Sequence, residues 1–594
     1  MPPEESTLDS GLVIRLIVCM AVNCQFVPFV IRNHPWLAAS VLHGLLLLLA
    51  VVLLPIGYGV CDDVIIEWLI ANDFSGWWYT GQLHPCLSFA LGWVWEKLPG
   101  IAWYSLFAYG MTYVSWIMIC GGMFRAINSY GNNSPSNATL LYAIAGGGSL
   151  FFACDAYLYM QYTQLALTLL LAGVTCLVFP FSQRAWLSYI CGILFVLLGL
   201  AWREKSIYIL YPFLTFQLIR FLYKCYRRQC PWRSIGKWVT VFVVVTLAFG
   251  SLHMLQDKIL QENGMLKRSY ENIDLQSVYM DYPDFSNMEK DWKKLNLSGE
   301  EIRLMKANMW FLHSVPAEVR LEKMARLHQE GNHAIHGIKA SAAVKLLLIS
   351  KWAVPVIMAL GVMLLTTRKS NVWSSLLPLV LLLLLYVYIG RVAGRVLYGT
   401  YLTAFVFLII SPEKCSFIPA LHSRKKWLWI LTGLLVLETV AGWFLAQRWN
   451  RYLNLETSAG EYHQLLSKKD RFYISNDIPC LYPRNPFLHT KEVFSFNNSL
   501  SPISWLVYLP VYEQFMLERF EKGCWFALLH DPSVYYLTEK RESKLFPMPH
   551  VLQYISKKYA VDVQAVLAEE TERHMVWKLK TVPDLSLIHI SEPT

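Results

Sequence analysis

Apolar residues run along this chain in blocks rather than in alternation. Stretches of about 17 to 25 residues, the length that crosses a bilayer as a helix, recur between residues 36 and 446. The first uncharged block runs from Trp36 to Val60 and is rich in Leu and Val. Further blocks lie at 101–122, 137–153, 160–179, 185–201, 206–222, 239–255, 341–364, 372–390, 396–411 and 428–446. An earlier stretch, 12–31, is apolar but carries Arg15, Asn23 and Gln25, so it reads as a weak span or an interfacial helix. The pattern predicts an α-helical polytopic membrane protein with about 11–12 transmembrane helices.

Two polar regions interrupt the blocks. Residues 256–338 have a mostly helical pattern and contain Asp281-Tyr282-Pro283-Asp284-Phe285, then Ser298-Gly299-Glu300-Glu301, a capping box that opens a helix. Residues 447–584 mix strand-like runs (Arg471 to Ser475, Trp525 to Leu529, Val534 to Thr538) with helical ones, which predicts a small α/β domain. The organisation that follows is an N-terminal segment 1–35, a transmembrane region 36–255 with a first polar loop 61–100, a helical insertion 256–338, a second transmembrane region 339–446 and a C-terminal domain 447–584. Residues 585–594 resemble the in-frame translation of a sequencing-library adapter and are set apart from the fold. Met1 to Ser10 are polar and acidic with no basic n-region, so no cleaved signal peptide is expected.

Composition supports the membrane reading, since 55% of the residues are hydrophobic and mean hydropathy is +0.36. A net charge of +10 would suggest nucleic acid in a soluble protein. Here the cations sit in short loops between apolar blocks, so the expected partner is the lipid bilayer and not nucleic acid. Lys224 to Arg233, Thr367 to Lys369, Ser423 to Lys426, Arg184 and Arg125 all fall on one side by span parity, and the positive-inside rule makes that side cytoplasmic. The opposite side receives loop 61–100, Cys154-Asp155, Arg203-Glu204-Lys205, the insertion 256–338, Gly390 to Arg395, and everything after about 447. The 13 cysteines show no metal-ligand spacing. On an oxidising side, Cys61 with Cys86 and Cys480 with Cys524 are conceivable disulfides.

Candidate chemistry concentrates at Asp62-Asp63. The pair opens a loop containing Trp77, Trp78, Tyr79, Trp93 and Trp95, punctuated by Ser75-Gly76, Thr80-Gly81 and His84-Pro85. Residues 86–98 read as a short interfacial helix with its Trp residues at headgroup depth. The plain alternative is that carboxylates commonly end a span at the membrane surface. Arg203, Lys205, Arg391 and Arg395 stand on the side that should be poor in cations. Internal pairing, for instance of Arg203 with Glu204 or Asp155, and phosphate binding are compatible readings, with part of the set paired and the rest facing a ligand. A carboxylate base, aromatics for a sugar face (Trp77 among them, with His84 nearby) and arginines for phosphate would together suit glycosyl transfer. The adjacent carboxylates could also bind Mg²⁺ or Mn²⁺.

The layout of residues 36–446 resembles the GT-C superfamily of polytopic glycosyltransferases. The resemblance rests on Asp62-Asp63 after an early span, Ser75-Gly76, Thr80-Gly81, Pro99-Gly100-Ile101-Ala102-Trp103-Tyr104, Asp281-Tyr282-Pro283, Leu297 to Glu301, and Gly390-Arg391 through Arg395-Val396. Uncharacterised bacterial multi-pass proteins have a similar build. The resemblance implies a sugar taken from a polyprenyl-phosphate donor and passed to a glycan or lipid acceptor on the non-cytoplasmic face of the cell membrane. It also implies a catalytic base at Asp62 or Asp63 and outer-loop arginines on the donor phosphate. The C-terminal domain matches no superfamily signature. The competing readings are a transporter or flippase for a lipid-linked saccharide, and a non-catalytic polysaccharide-assembly protein. Largely uncharged mid-spans favour the enzyme over the transporter.

Overall fold

The computed structural model describes residues 26–53, 56–59, 61–71, 78–129, 135–227, 232–279, 350–366, 369–389, 394–411, 461, 464–475, 498–500, 509–540 and 548–582. Trp77, Arg391, Cys480, the 281–301 motifs, the block 428–446 and the tail 585–594 lie outside the described residues. Of the stretch 12–31, only the part from Phe26 onward is described.

The described chain is mostly helical. It opens with α1 (Phe26–Asn33) and α2 (Pro35–Leu53), then a two-residue strand β1 (Gly57–Tyr58) and a short helix α3 (Cys61–Ala71). Next come α4 (Pro85–Lys97), α5 (Trp103–Ser129), α6 (Pro135–Leu158), β2 (Tyr159–Met160), α7 (Tyr162–Val178) and α8 (Ala185–Trp202). A 3-10 turn, Glu204–Ser206, leads into α9 (Ile207–Tyr226), α10 (Trp232–Glu262) and α11 (Gly264–Tyr279). After the insertion come α12 (Ala353–Thr366), α13 (Lys369–Ile389) and α14 (Gly394–Ile410). Among the described residues, six helices (α2, α5, α6, α8, α9 and α10) are by length and composition long and apolar enough to cross a membrane, while α7, α12, α13 and α14 are shorter apolar helices.

Two helices form the centre of the bundle. Every residue of α7 is buried, and so is α14 from Leu397 to Ile410. Small residues let the backbones meet: a Cβ on Gly173 would lie 2.8 Å from the Gly192 carbonyl, and one on Gly199 would lie 2.8 Å from the Ala166 carbonyl. Close approach of this kind is how apolar helices associate where no hydrophobic driving force separates helix from lipid. Contacts between helix ends bring the starts of α3, α5, α7, α9 and α14 and the ends of α6, α8 and α10 to one end of the bundle. Two polar ties mark that end: β1 pairs in parallel with β2, and the Gly59 N–H donates to the Met160 carbonyl at 2.8 Å. At the other end Gln217 and Arg220 of α9 bond to Ser374 and Ser411, tying α9, α13 and the end of α14 together.

The C-terminal region carries a five-stranded sheet in the order β4-β3-β5-β7-β6. Its strands are β3 (Phe472–Ser475), β4 (Ser499–Leu500), β5 (Val534–Glu539), β6 (Val563–Glu570) and β7 (His574–Thr581). β3 runs parallel to β4 and β5, and β7 runs antiparallel to β5 and β6. Helices α15 (Pro510–Arg519), α16 (Cys524–His530) and α17 (Met548–Tyr559) accompany it, giving the expected α/β character.

Three expectations change. The block Trp36 to Val60 is not a single helix, since α2 covers Pro35–Leu53 and Gly57–Tyr58 form β1. The run Trp525 to Leu529 is helical, with Trp525, Leu528 and Leu529 buried at the three- and four-residue spacing of one helix face. In α4 the two tryptophans part: Trp95 is 3% exposed and Trp93 is 56% exposed. Residues two apart on a helix point to nearly opposite sides, so one ring packs inward and the other faces out. Cys86 and Cys524 are free thiols, which removes both conceivable disulfides.

Candidate functional site

The Asp pair does not end the span. It occupies the first turn of α3, where unpaired N–H groups favour carboxylates. Consecutive positions on a helix face different ways, and the two side chains have different fates. Asp63 is fully buried. Its Oδ1 accepts from the Tyr104 hydroxyl at 2.7 Å and from the Tyr162 N–H at 2.7 Å, whereas Oδ2 meets no partner. Burial pushes the Asp63 carboxyl well above the usual carboxylate range, and the charge of Asp62 pushes the same way. The bonds from Tyr104 and Tyr162 oppose that shift without cancelling it. Asp62 keeps a side chain 15% exposed and meets Nη1 of Arg395, at the start of α14, at 3.2 Å. Of the two, only Asp62 could reach a ligand.

One turn further on, Glu67 shares the Asp63 face of α3. It is fully buried, and its Oε2 accepts from the Ser105 N–H at 2.9 Å, the Ser105 hydroxyl at 3.0 Å and the Tyr58 hydroxyl at 3.3 Å. Burial pushes its carboxyl up to about 7 despite those donors. A lone Glu in the otherwise apolar run Val64 to Ala71, four residues after Asp63, is the sequence signal that would have flagged it.

Tyr162, the first residue of α7, joins the carboxylates to the next group. Its N–H donates to Asp63 and its hydroxyl donates to Gln82 Oε1 at 3.0 Å. The same hydroxyl accepts from Arg203 Nη1, and the Arg203 guanidinium carbon lies 4.8 Å from the ring centroid.

Arg203 and Gln82 line an open cleft shared with Gly81, Leu83, His84, Leu200, Glu204, Lys205, Gln256, Tyr270, Ile273 and Asp274. The candidate residues Arg203, Glu204, Lys205 and His84 therefore meet in one place. Their pairings differ from the expected ones. Lys205 pairs with Asp274 of α11, and Glu204 with His253 of α10 at 2.8 Å. Arg203 meets no carboxylate among the described residues. His84 caps α4: its Nδ1 accepts from the Cys86 N–H at 3.2 Å and its Nε2 donates to the Leu252 carbonyl at 3.1 Å. Burial lowers its pKa, so the ring is a neutral imidazole with both nitrogens engaged.

Other candidates lie elsewhere. Asp155 pairs with Lys351, which stands 5.1 Å from the Trp352 ring, and neither lines the cleft. Tyr79 is buried in a small apolar cluster with Leu260 and Leu266. Trp78 packs on Gly92. Tyr270 is the aromatic lining the cleft among the described residues. The carboxylates do not fit a divalent ion: Asp62 is engaged by Arg395 and Asp63 by two donors, and no group of three ligating side chains assembles among the described residues. Comparison of the chain with protein-family models, curated proteins and solved structures gives no match.

Proposed function

We propose that the protein is a GT-C-type membrane glycosyltransferase, moving a sugar from a polyprenyl-phosphate donor to a glycan or lipid acceptor on the extracytoplasmic face of a bacterial cell membrane. The observation that carries the reading is the connection from Asp63 through Tyr162 to Arg203 at the wall of an open cleft, with Asp62 beside Asp63 in the same helix turn. Asp62 is the base. It takes the proton of the acceptor hydroxyl as that oxygen attacks the anomeric carbon, while Arg395 orients the carboxylate. The bond from the anomeric carbon to the phosphate oxygen breaks, its electron pair leaves on the phosphate, and Arg203 stabilises the developing charge. Asp63, with no exposed surface, positions Tyr104 and Tyr162 and takes no proton from substrate.

The test is a transfer assay with the purified protein in lipid nanodiscs and a panel of polyprenyl-phosphate sugars. Acceptor-dependent release of polyprenyl phosphate is the expected result. Translocation of the donor in liposomes with no release under any donor would replace the enzyme by a flippase.

A further inference from the structure

We infer that Tyr162 is a positioning residue that fixes Arg203 towards the cleft and makes the arginine and the carboxylate pair one unit. The inference rests on the proposed role of Arg203 as the phosphate-binding cation. An arginine on a loop beside a membrane surface has many rotamers, and holding one of them costs conformational entropy. Tyr162 removes that freedom in two ways at once. Its hydroxyl oxygen accepts from Arg203 Nη1 while its proton is committed to Gln82, which leaves the oxygen free to accept. Its ring face lies beneath the guanidinium, 4.8 Å from centroid to carbon. With one edge and one face taken, the remaining N–H groups of the fork are left for the oxygens of a phosphate.

Tyr162 is itself held from the other side. It is 1% exposed, begins the fully buried helix α7, and donates its N–H to Asp63 at 2.7 Å. A second route reaches the same arginine. Tyr104, the other donor to Asp63, stacks on Trp202 with ring centroids 5.6 Å apart, and Trp202 immediately precedes Arg203. Asp63 therefore organises Arg203 through two aromatic residues without touching the cleft. Asp62, its neighbour on α3, is set by the same helix turn.

The test uses the full-length protein in detergent micelles and farnesyl phosphate as a short polyprenyl monophosphate, with inorganic phosphate as a parallel probe to separate headgroup from lipid recognition. Wild type is expected to bind, and Arg203→Ala to lose most of that affinity. Tyr162→Phe keeps the ring, the N–H bond to Asp63 and the thermal midpoint, and is expected to weaken binding about tenfold, the usual cost of losing a hydrogen bond to a charged group. In the Arg203→Ala background the same change should add nothing, because Tyr162 acts through Arg203. Gln82→Leu removes the acceptor of the Tyr162 proton and should weaken binding in the same direction. Because Gln82 also lines the cleft, it supplies the test, if Tyr162→Phe is poorly folded, only when compared with the same change in the Arg203→Ala background, where it should add nothing. Wild-type affinity in Tyr162→Phe, or equal weakening with and without Arg203, would overturn the positioning role. Absence of binding by wild type, with either probe, would overturn the phosphate reading itself. That result is distinct from intact binding indifferent to Tyr162.

Discussion

Glu67→Gln tests the charge state of the carboxyl cluster behind the cleft. Glu67 has no exposed surface, and all three of its donors converge on one oxygen. Its folded pKa stands near 7, against 4.5 for the unconstrained side chain, so folding favours the protonated form. The stabilisation is then fully present below pH 4.5 and lost as pH rises towards 7. At 1.36 kcal/mol per unit, the interval from 4.5 to about 7 corresponds to about 3 kcal/mol. Gln has the shape of the neutral acid and cannot ionise, so the variant should lack this part of the pH dependence. Asp63 is shifted in the same direction and contributes to both proteins, so the difference between them isolates Glu67. The assay is reversible unfolding in mixed detergent micelles between pH 4.5 and 8. Wild type should lose about 3 kcal/mol more than Glu67→Gln across that range. Parallel pH profiles would refute the reasoning and place an ionised Glu67 in the fold.

Gly92→Ala should destabilise the protein by about 1–3 kcal/mol, because its Cβ would enter the Trp78 ring. Gly264→Ala, with nothing within 4 Å of the added atom, should be neutral in the same thermal unfolding experiment. Asp274→Asn breaks a pair whose side chains are 44–51% exposed, so stability should change by less than about 1 kcal/mol. By freeing Lys205 beside Arg203, the same change should tighten farnesyl phosphate binding in a titration. Cys86, an exposed free thiol on α4, should react with a membrane-impermeant maleimide in intact cells once the other cysteines are replaced. Burial raises its pKa, so labelling should quicken with pH. Labelling only after lysis would invert the proposed topology.

The helices were legible because long apolar blocks have few alternatives to helix, and amphipathic spacing marks the shorter ones. The α4 and α7 regions, for instance, were expected within a few residues of Pro85–Lys97 and Tyr162–Val178. The short helix α3 was missed because Asp62 and Asp63 directly follow an apolar run that looks continuous past Pro55. The site was legible in part: charge on the unexpected side singled out Arg203, Glu204 and Lys205, which do share one cleft. The pairings were not legible, since Lys205 with Asp274 and Arg395 with Asp62 join residues far apart in the chain. Tyr162 and Glu67 escaped notice for a different reason. Each looks like ordinary span composition until helix packing brings it against Asp63.

The most direct measurement compares Asp62→Asn with Asp63→Asn in the sugar-transfer assay, each checked for folding. Asp62 is partly exposed and paired with Arg395, so its loss should abolish transfer while farnesyl phosphate still binds. Asp63 is buried and biased towards its neutral form, which Asn imitates, so transfer should persist. Wild-type transfer by Asp62→Asn would contradict the assignment of the base, and with it the proposed enzyme.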